Sequence, residues 1–302
     1  MEWIDQLETV CRKYNCPLHR DEPLRKYTTF RIGGGCTALV DISSVEGLQK
    51  LVQLCNQNQV RWTVLGNGSN VLVSDEGYDG VVFIVGRQFS GVEILDGGLV
   101  RCQAGALLMS VAKMVLEESL SGMECLAGIP GTIGGALYMN AGAYGGEMAD
   151  VVVSAEYLDE DGLLKTISGE EMELSYRHSM FSGTKRIITS VTMQLHSGKY
   201  DAIKTEMEGY LNQRRAKQPL ELPSAGSTFK RPAGSYASFL IDQCGLKGAS
   251  VGDAQVSTKH AGFVVNTGKA TCRDVLELCD YVIETVKEKT GYQLELEPVV
   301  LR

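Results

Sequence analysis

Hydrophobic and polar positions recur with two different periods along this 302-residue chain, and the changes of period mark out its elements. From Met1 to Asn15, Trp3, Ile4, Leu7 and Val10 fall at helical spacing with Glu2, Asp5 and Glu8 between them. That pattern predicts an amphipathic helix rather than a signal peptide with an apolar core. Thr37 to Ile42 reads as a strand. Ser43-Ser44-Val45-Glu46 has the form of a capping box, opening a helix that aligns Val45, Leu48, Leu51, Val52 and Cys55 on one face. Short apolar runs at Val60 to Leu65, Val71 to Ser74 and Val81 to Val85 complete a small α/β unit.

Sheet patterning dominates the middle of the chain. Val92 to Leu95 and Leu99 to Gln103 form a hairpin around Asp96-Gly97-Gly98, followed by a helix from about Leu107 to Leu120. A second hairpin pairs Val151 to Leu158 with Leu163 to Ile167 around Asp159-Glu160-Asp161-Gly162, and Ile187 to Leu195 is a further strand. Past Ser197-Gly198, where a C-terminal domain is expected to begin, a helix ends in Arg214-Arg215. Thr271-Cys272-Arg273-Asp274 caps a long helix to about Thr290, and Leu294 to Leu301 reads as a closing strand. Helices and antiparallel pairs mix without a βαβα rhythm, so the class is α+β rather than a doubly wound sheet. No internal repeat interrupts this order.

The length suits about two domains of ~150 residues. A net charge of −8 speaks against a nucleic-acid footprint, and any anionic ligand must be held by local donors. Nine cysteines, an odd number without a C-x-x-C pair, sit in apolar stretches, which suggests a reducing compartment. The four histidines make no metal-ligand spacing with a cysteine or with each other, so no metal is expected. No apolar run approaches the ~20 residues of a membrane span, and a cytoplasmic location follows as the expectation.

Candidate chemistry lies in two glycine-rich loops, Gly66-Asn67-Gly68-Ser69-Asn70 and Gly128-Ile129-Pro130-Gly131-Thr132-Ile133-Gly134-Gly135. Glycine lets backbone N–H groups approach phosphate closely and allows positive φ, so two such loops suit one large phosphate-bearing cofactor. A dinucleotide-binding GxGxxG is excluded at the first loop, because Val71-Leu72-Val73 continues as strand where that motif needs a third glycine and a helix. Thr267-Gly268-Lys269 is not a P-loop either, since Phe263 stands where the first glycine belongs and Ala270 replaces the Ser/Thr.

Together with Tyr27-Thr28-Thr29-Phe30-Arg31-Ile32-Gly33-Gly34, these loops resemble the UDP-N-acetylenolpyruvoylglucosamine reductases, also called UDP-N-acetylmuramate dehydrogenases. The similarity continues in order through Tyr138-Met139-Asn140-Ala141-Gly142-Ala143-Tyr144, Ser175-Tyr176-Arg177, Ala225-Gly226-Ser227-Thr228-Phe229-Lys230 and Lys259-His260-Ala261-Gly262-Phe263. The resemblance implies an N-terminal lead-in at 1–26, a VAO/PCMH-type FAD-binding region at 27–196 made of two α+β subdomains (about 27–86 and 87–196), and a smaller α+β substrate domain at 197–302. It implies non-covalent FAD reduced by NADPH, with Arg31, Asn140 and Ala141 joining the glycine loops around the cofactor. It further implies hydride transfer from flavin N5 to the enolpyruvyl methylene carbon of UDP-N-acetylglucosamine enolpyruvate, giving UDP-N-acetylmuramate for peptidoglycan synthesis. Membrane and obligate protein partners are not expected.

That reaction leaves enolate-like charge beside the substrate carboxylate, so it calls for a fixed cation, a hydrogen-bonding acid and a proton donor to the adjacent carbon. By resemblance these are Arg177, Glu297 and Ser227, with Tyr176, Lys217 and Arg231 on the substrate. A planar guanidinium suits a carboxylate, and a flexible ammonium such as Lys217 suits a diphosphate. Two registers compete for the acid. Counting from Gly291 places it at Glu297, whereas aligning on Leu296-Glu297-Pro298 would put Val299 there. The first needs no gap, and in a strand Glu295 and Glu297 would share one face opposite Leu294 and Leu296. The short spacing from Arg177 to Ile187 leaves no room for an inserted tyrosine-bearing loop, which marks the shorter subtype of the family.

Overall fold

A computed structural model describes residues 2–302. The amphipathic N-terminal segment is a helix over Trp3–Lys13 that buries Leu7 and Cys11. It packs with the helix Val45–Gln57. That second helix starts one residue later than its sequence pattern suggests. Ser43 Oγ donates to Tyr14 O at 2.7 Å, so Ser44 becomes the N-cap and accepts from Gly47 N at 3.1 Å; Glu46 is not in a capping box.

Four strands pair in the order Leu18–Pro23, Gly35–Asp41, Tyr78–Ile84 and Trp62–Leu65, the last two in parallel. Both predicted hairpins are present within one antiparallel sheet. Its order is Leu164–Ser168, Val152–Leu158, Ile187–Gln194, Leu99–Gln103 and Val92–Ile94. The helix Leu108–Glu117 buries Val111, Ala112 and Val115, one apolar stripe of the 3.6-residue period. Three strands, Ser250–Val251, Ala254–Val256 and Val264–Asn266, form a small antiparallel sheet near the long helix Cys272–Thr290. Thr271 and Asp274 do form the reciprocal capping box there, and Gly291 closes the helix at φ +79°.

Two compact units emerge, neither continuous in sequence. One comprises residues up to Arg20, Ala38–Asn67 and Gly80–Asn212; the other comprises Asp21–Thr37, Gly68–Asp79 and Gln213–Arg302. Each has its own apolar core. In the first, Phe83, Leu108, Leu137 and Phe181 are fully or almost fully buried; in the second, Phe30, Ile241, Leu278 and Val282 are. The non-contiguity has its cause in packing. The segments Asp21–Thr37 and Gly68–Asp79 contribute Phe30, Ile32 and Leu72 to the core that the C-terminal residues build.

The end of the chain departs from its sequence reading. No single strand runs from Leu294 to Leu301. Phe229 bridges Leu296 antiparallel, with Lys230 N donating to Glu295 O at 2.9 Å and Glu297 N donating to Thr228 O at 3.0 Å. Val299–Leu301 then pairs in parallel with Val71–Val73. Pro298, which has no N–H to give a ladder, stands between the two pairings. The helices Ile133–Tyr138 and Ala237–Gln243 were not visible in the pattern, the first because it begins inside a glycine-rich loop. Among the described residues no helix is long and apolar enough to cross a membrane, and no three His, Cys, Asp or Glu side chains are grouped to hold a metal ion.

Candidate active site

The two glycine loops meet within the first unit. Asn67 Nδ2 donates to Pro130 O at 2.7 Å, and a Cβ on Gly66 would collide with Thr132 Oγ1. Thr132 is itself fixed, since its hydroxyl caps the Ile133–Tyr138 helix by accepting from Gly135 N at 3.2 Å. Gly68, at φ +59°, belongs to the second unit and lies against the Tyr27 carbonyl, where no side chain fits. Among the described residues, none of the five backbone N–H groups from Gly66 to Asn70 donates to a protein carbonyl; those of Gly128, Gly131 and Thr132 do not either. Within the first unit, the N–H groups of Gly66, Asn67, Gly128, Gly131 and Thr132, on loops where Gly66 leaves no room for a side chain, fit the phosphate of a nucleotide cofactor. The donor set is therefore suited to FAD.

This packing makes a prediction. Gly66→Ala is expected to force the loops apart and lower the flavin content of purified protein by about tenfold or more, with the far-ultraviolet circular dichroism unchanged. Adding Thr132→Ala removes the colliding oxygen and is expected to restore part of the flavin, at about 1 kcal/mol for the lost helix cap. Normal flavin content in Gly66→Ala would sink the idea.

Other residues tied to the cofactor by sequence lie in varied settings. Arg31 is exposed at φ +57°, with its N–H on Thr28 O at 3.3 Å. Its motif is knitted into the second unit, where Thr29 Oγ1 donates to Ser224 O at 2.7 Å and Asn266 Nδ2 to Phe30 O at 3.3 Å. Ser69 and Asn70 are half-buried, and Asn70 has structural bonds: its O accepts from Val299 N at 2.9 Å and its Nδ2 donates to Glu297 O at 3.2 Å. Ala141 donates its N–H to Ala136 O at 2.8 Å. Asn140 is fully buried.

Arg177 occupies a tight turn in the first unit. Ser175 and His178 exchange two N–H···O bonds of 3.1 Å around Tyr176-Arg177, with Arg177 at φ +55°. Its Nη2 donates to Gly142 O at 3.1 Å, and its guanidinium lies 4.9 Å from the centre of the exposed Tyr176 ring. Ser179 to Arg186 turns back into the core: Phe181 is buried edge-on to Tyr157, and Ser179 Oγ donates to Tyr138 O at 2.7 Å.

Glu297 pairs with the residue that follows Ser227, within the second unit. Gly226, at φ +78°, turns the chain so that Ser227 is exposed while Thr228 and Phe229 are buried. The segment after Ser227 is held on both sides. Thr228 N donates to Gly262 O at 2.8 Å and Thr228 Oγ1 accepts from Val264 N at 2.8 Å, while Thr228 O takes the N–H of Glu297. The Lys259-His260-Ala261-Gly262-Phe263 motif thus buttresses Ser227. His260 within it has its pKa lowered, chiefly by burial, and its Nδ1 accepts from Gly262 N at 3.2 Å. Glu297 is half-buried one residue across from Ser227, whereas Val299 is 44% exposed in a different ladder. Glu295 is exposed and pairs with Lys230 at 3.4 Å.

Lys217 is exposed in the last turn of the Tyr200–Lys217 helix, and the Arg231 guanidinium lies 4.8 Å from the centre of the Tyr236 ring. Sequence reasoning missed the supports: Thr228, and Asp75, whose carboxylate accepts from Cys272 N and Arg273 N at 2.8 and 3.0 Å. Nothing near Asp75 in the sequence signals a cap for a helix almost two hundred residues away.

A glycine-lined, N–H-rich loop pair in an α+β scaffold defines a flavin-dependent oxidoreductase of the VAO/PCMH class. The FAD binding domain family model matches residues 36–168, and the model for the UDP-N-acetylenolpyruvoylglucosamine reductase C-terminal domain matches residues 218–301. The chain belongs to the UDP-N-acetylenolpyruvoylglucosamine reductase family. It is 43% identical over 293 residues to the reductase so named from Caldanaerobacter subterraneus subsp. tengcongensis, covering 96% of this chain and 95% of that one. It is 46% identical over 279 residues to that of Clostridium perfringens strain SM101, covering 92% and 90%. The crystal structure of the enzyme from Thermus caldophilus superposes with a TM-score of 0.80 at 36% identity, over 95% of this chain and 99% of that one.

Proposed function

We propose that this protein reduces UDP-N-acetylglucosamine enolpyruvate to UDP-N-acetylmuramate, using NADPH and a non-covalently held FAD, in the cytoplasm. The observation that carries the reading is the backbone pairing of Glu297 with Thr228, the residue after the exposed Ser227, in a chain whose relatives bear the reductase name. None of the four histidines lies in either glycine loop, so those loops offer no tether of that kind to a flavin.

Bound FAD supplies the hydride equivalent, drawn from NADPH. The residues of the chain manage the charge and the proton. Arg177 binds the enolpyruvyl carboxylate and stays cationic throughout, so negative charge developing beside that carboxylate is stabilised without a proton transfer. Glu297 adds a hydrogen bond to the same group. Ser227 Oγ–H protonates the carbon next to the carboxylate, and its exposure lets solvent replace the proton. Lys217 binds the substrate diphosphate, and Tyr176 and Arg231 contact the substrate.

The purified protein is expected to be yellow and to oxidise NADPH in a manner that depends on UDP-N-acetylglucosamine enolpyruvate. Ser227→Ala should leave flavin reduction by NADPH within about twofold and slow turnover on the order of 10²-fold or more. A colourless protein contradicts the cofactor assignment. A yellow protein without substrate-dependent turnover contradicts the reductase assignment, and equal loss of both steps in Ser227→Ala contradicts the role of the serine.

A further inference from the structure

We infer that Asn140 is a positioning residue for Arg177, acting through the turn that carries the arginine rather than as a direct ligand of the flavin. The inference rests on the reading that Arg177 acts on the substrate. Asn140 is fully buried at φ +40°, a left-handed conformation that asparagine tolerates better than most residues. Both ends of its amide are occupied inside the protein. Nδ2 donates to Ser175 O at 3.0 Å, and Oδ1 accepts from Ala149 N at 2.9 Å. Its backbone N–H is also taken, by Leu137 O at 3.0 Å.

Ser175 is the residue that closes the Tyr176-Arg177 turn by its exchange of hydrogen bonds with His178. Arg177 at φ +55° is a strained conformation for a residue with a long side chain, and it persists only if the surroundings determine it. The segment from Asn140 to Gly142 does so from both sides. It holds the backbone of the turn through Asn140 and Ser175 O, and it holds the guanidinium through Gly142 O. The segment is anchored in turn, since Ala141 N donates to Ala136 O and Met148 N donates to Ala141 O. The buried amide therefore sets the distance between the loop and the turn. Replacing its donor with an acceptor places a carboxylate oxygen against the Ser175 carbonyl, and the turn must move away.

A shift of about 1 Å in a group that binds the reacting part of a substrate lowers the rate on the order of 10²-fold. The two half-reactions separate this effect from general damage. In Asn140→Asp, and in the smaller and uncharged Asn140→Ser should Asn140→Asp not fold, FAD content and flavin reduction by NADPH are expected to stay within about twofold of the parent. Reoxidation of the reduced flavin by UDP-N-acetylglucosamine enolpyruvate is expected to slow by about 10- to 100-fold. The same Asn140 substitution made together with Arg177→Lys should add less than about twofold to the Arg177→Lys deficit, because the two residues act as one unit. Loss of FAD, equal slowing of both half-reactions, or deficits that multiply with Arg177→Lys would each overturn the inference. If Arg177→Lys alone reoxidises at the parent rate, the role of Arg177 falls, a result visible before any Asn140 variant is made.

Discussion

Glu297→Ala is expected to lower turnover on the order of 10³-fold, while Val299→Ala stays within about threefold of the parent. The contrast decides between the two registers that the C-terminal sequence allows. In the folded chain the two residues belong to different pairings. Glu297 donates its backbone N–H to Thr228 O, and Val299 lies in the parallel ladder beside Val71. Only the first pairs with the residue next to the proposed proton donor. The acid is needed only where charge develops on the substrate, so flavin reduction by NADPH should survive in Glu297→Ala and the loss should fall on reoxidation by substrate. Stopped-flow measurement of the two half-reactions provides the check. A Val299→Ala deficit as large as that of Glu297→Ala would overturn the assignment of the acid to Glu297.

The second large effect concerns stability at high pH. Burial pushes the thiols of Cys11, Cys55, Cys102 and Cys279 up from 9.0 to about 12, and all four are almost completely inaccessible. A thiol whose folded pKa is raised stays protonated in the native state while its unfolded counterpart ionises. The unfolded state then holds fewer protons, and stability falls as pH rises above about 9 and continues to fall until the folded value is reached. One such group removes about 1.4 kcal/mol per pH unit within that window. Against a total of about 5–15 kcal/mol, several together are expected to unfold the protein at roughly pH 10.5 to 11. Denaturant titrations at pH 8 and 10.5 measure the fall. Cys55→Ala loses packing at pH 8 yet should recover about 2 kcal/mol relative to the parent at pH 10.5, because it no longer has that thiol to ionise. An unchanged gap between the two proteins at the two pH values would rule out this cause.

The sequence pattern made several local elements of both units legible. Helix Trp3–Lys13, both hairpins of the five-stranded sheet and the capping box at Thr271 depend on residues close together in the chain, where period and cap chemistry act locally. The glycine loops were legible for the same reason. Local signals failed where a distant partner outweighed them. Ser43 looks like a cap but spends its hydroxyl on Tyr14 O. Leu294 to Leu301 reads as one strand, but Phe229 claims one half and Val71–Val73 the other.

The sequence by itself determined the α+β class and the family, because these depend on composition, spacing and ordered motifs. Tertiary structure alone decided how those residues are held. It brought Gly66 against Thr132, set Glu297 rather than Val299 opposite the Ser227 segment, and tied the Arg177 turn to Asn140. Each of these rests on a hydrogen bond or a close approach between segments at least 35 residues apart, and chain-local propensity carries no record of which distant carbonyl will be there to accept.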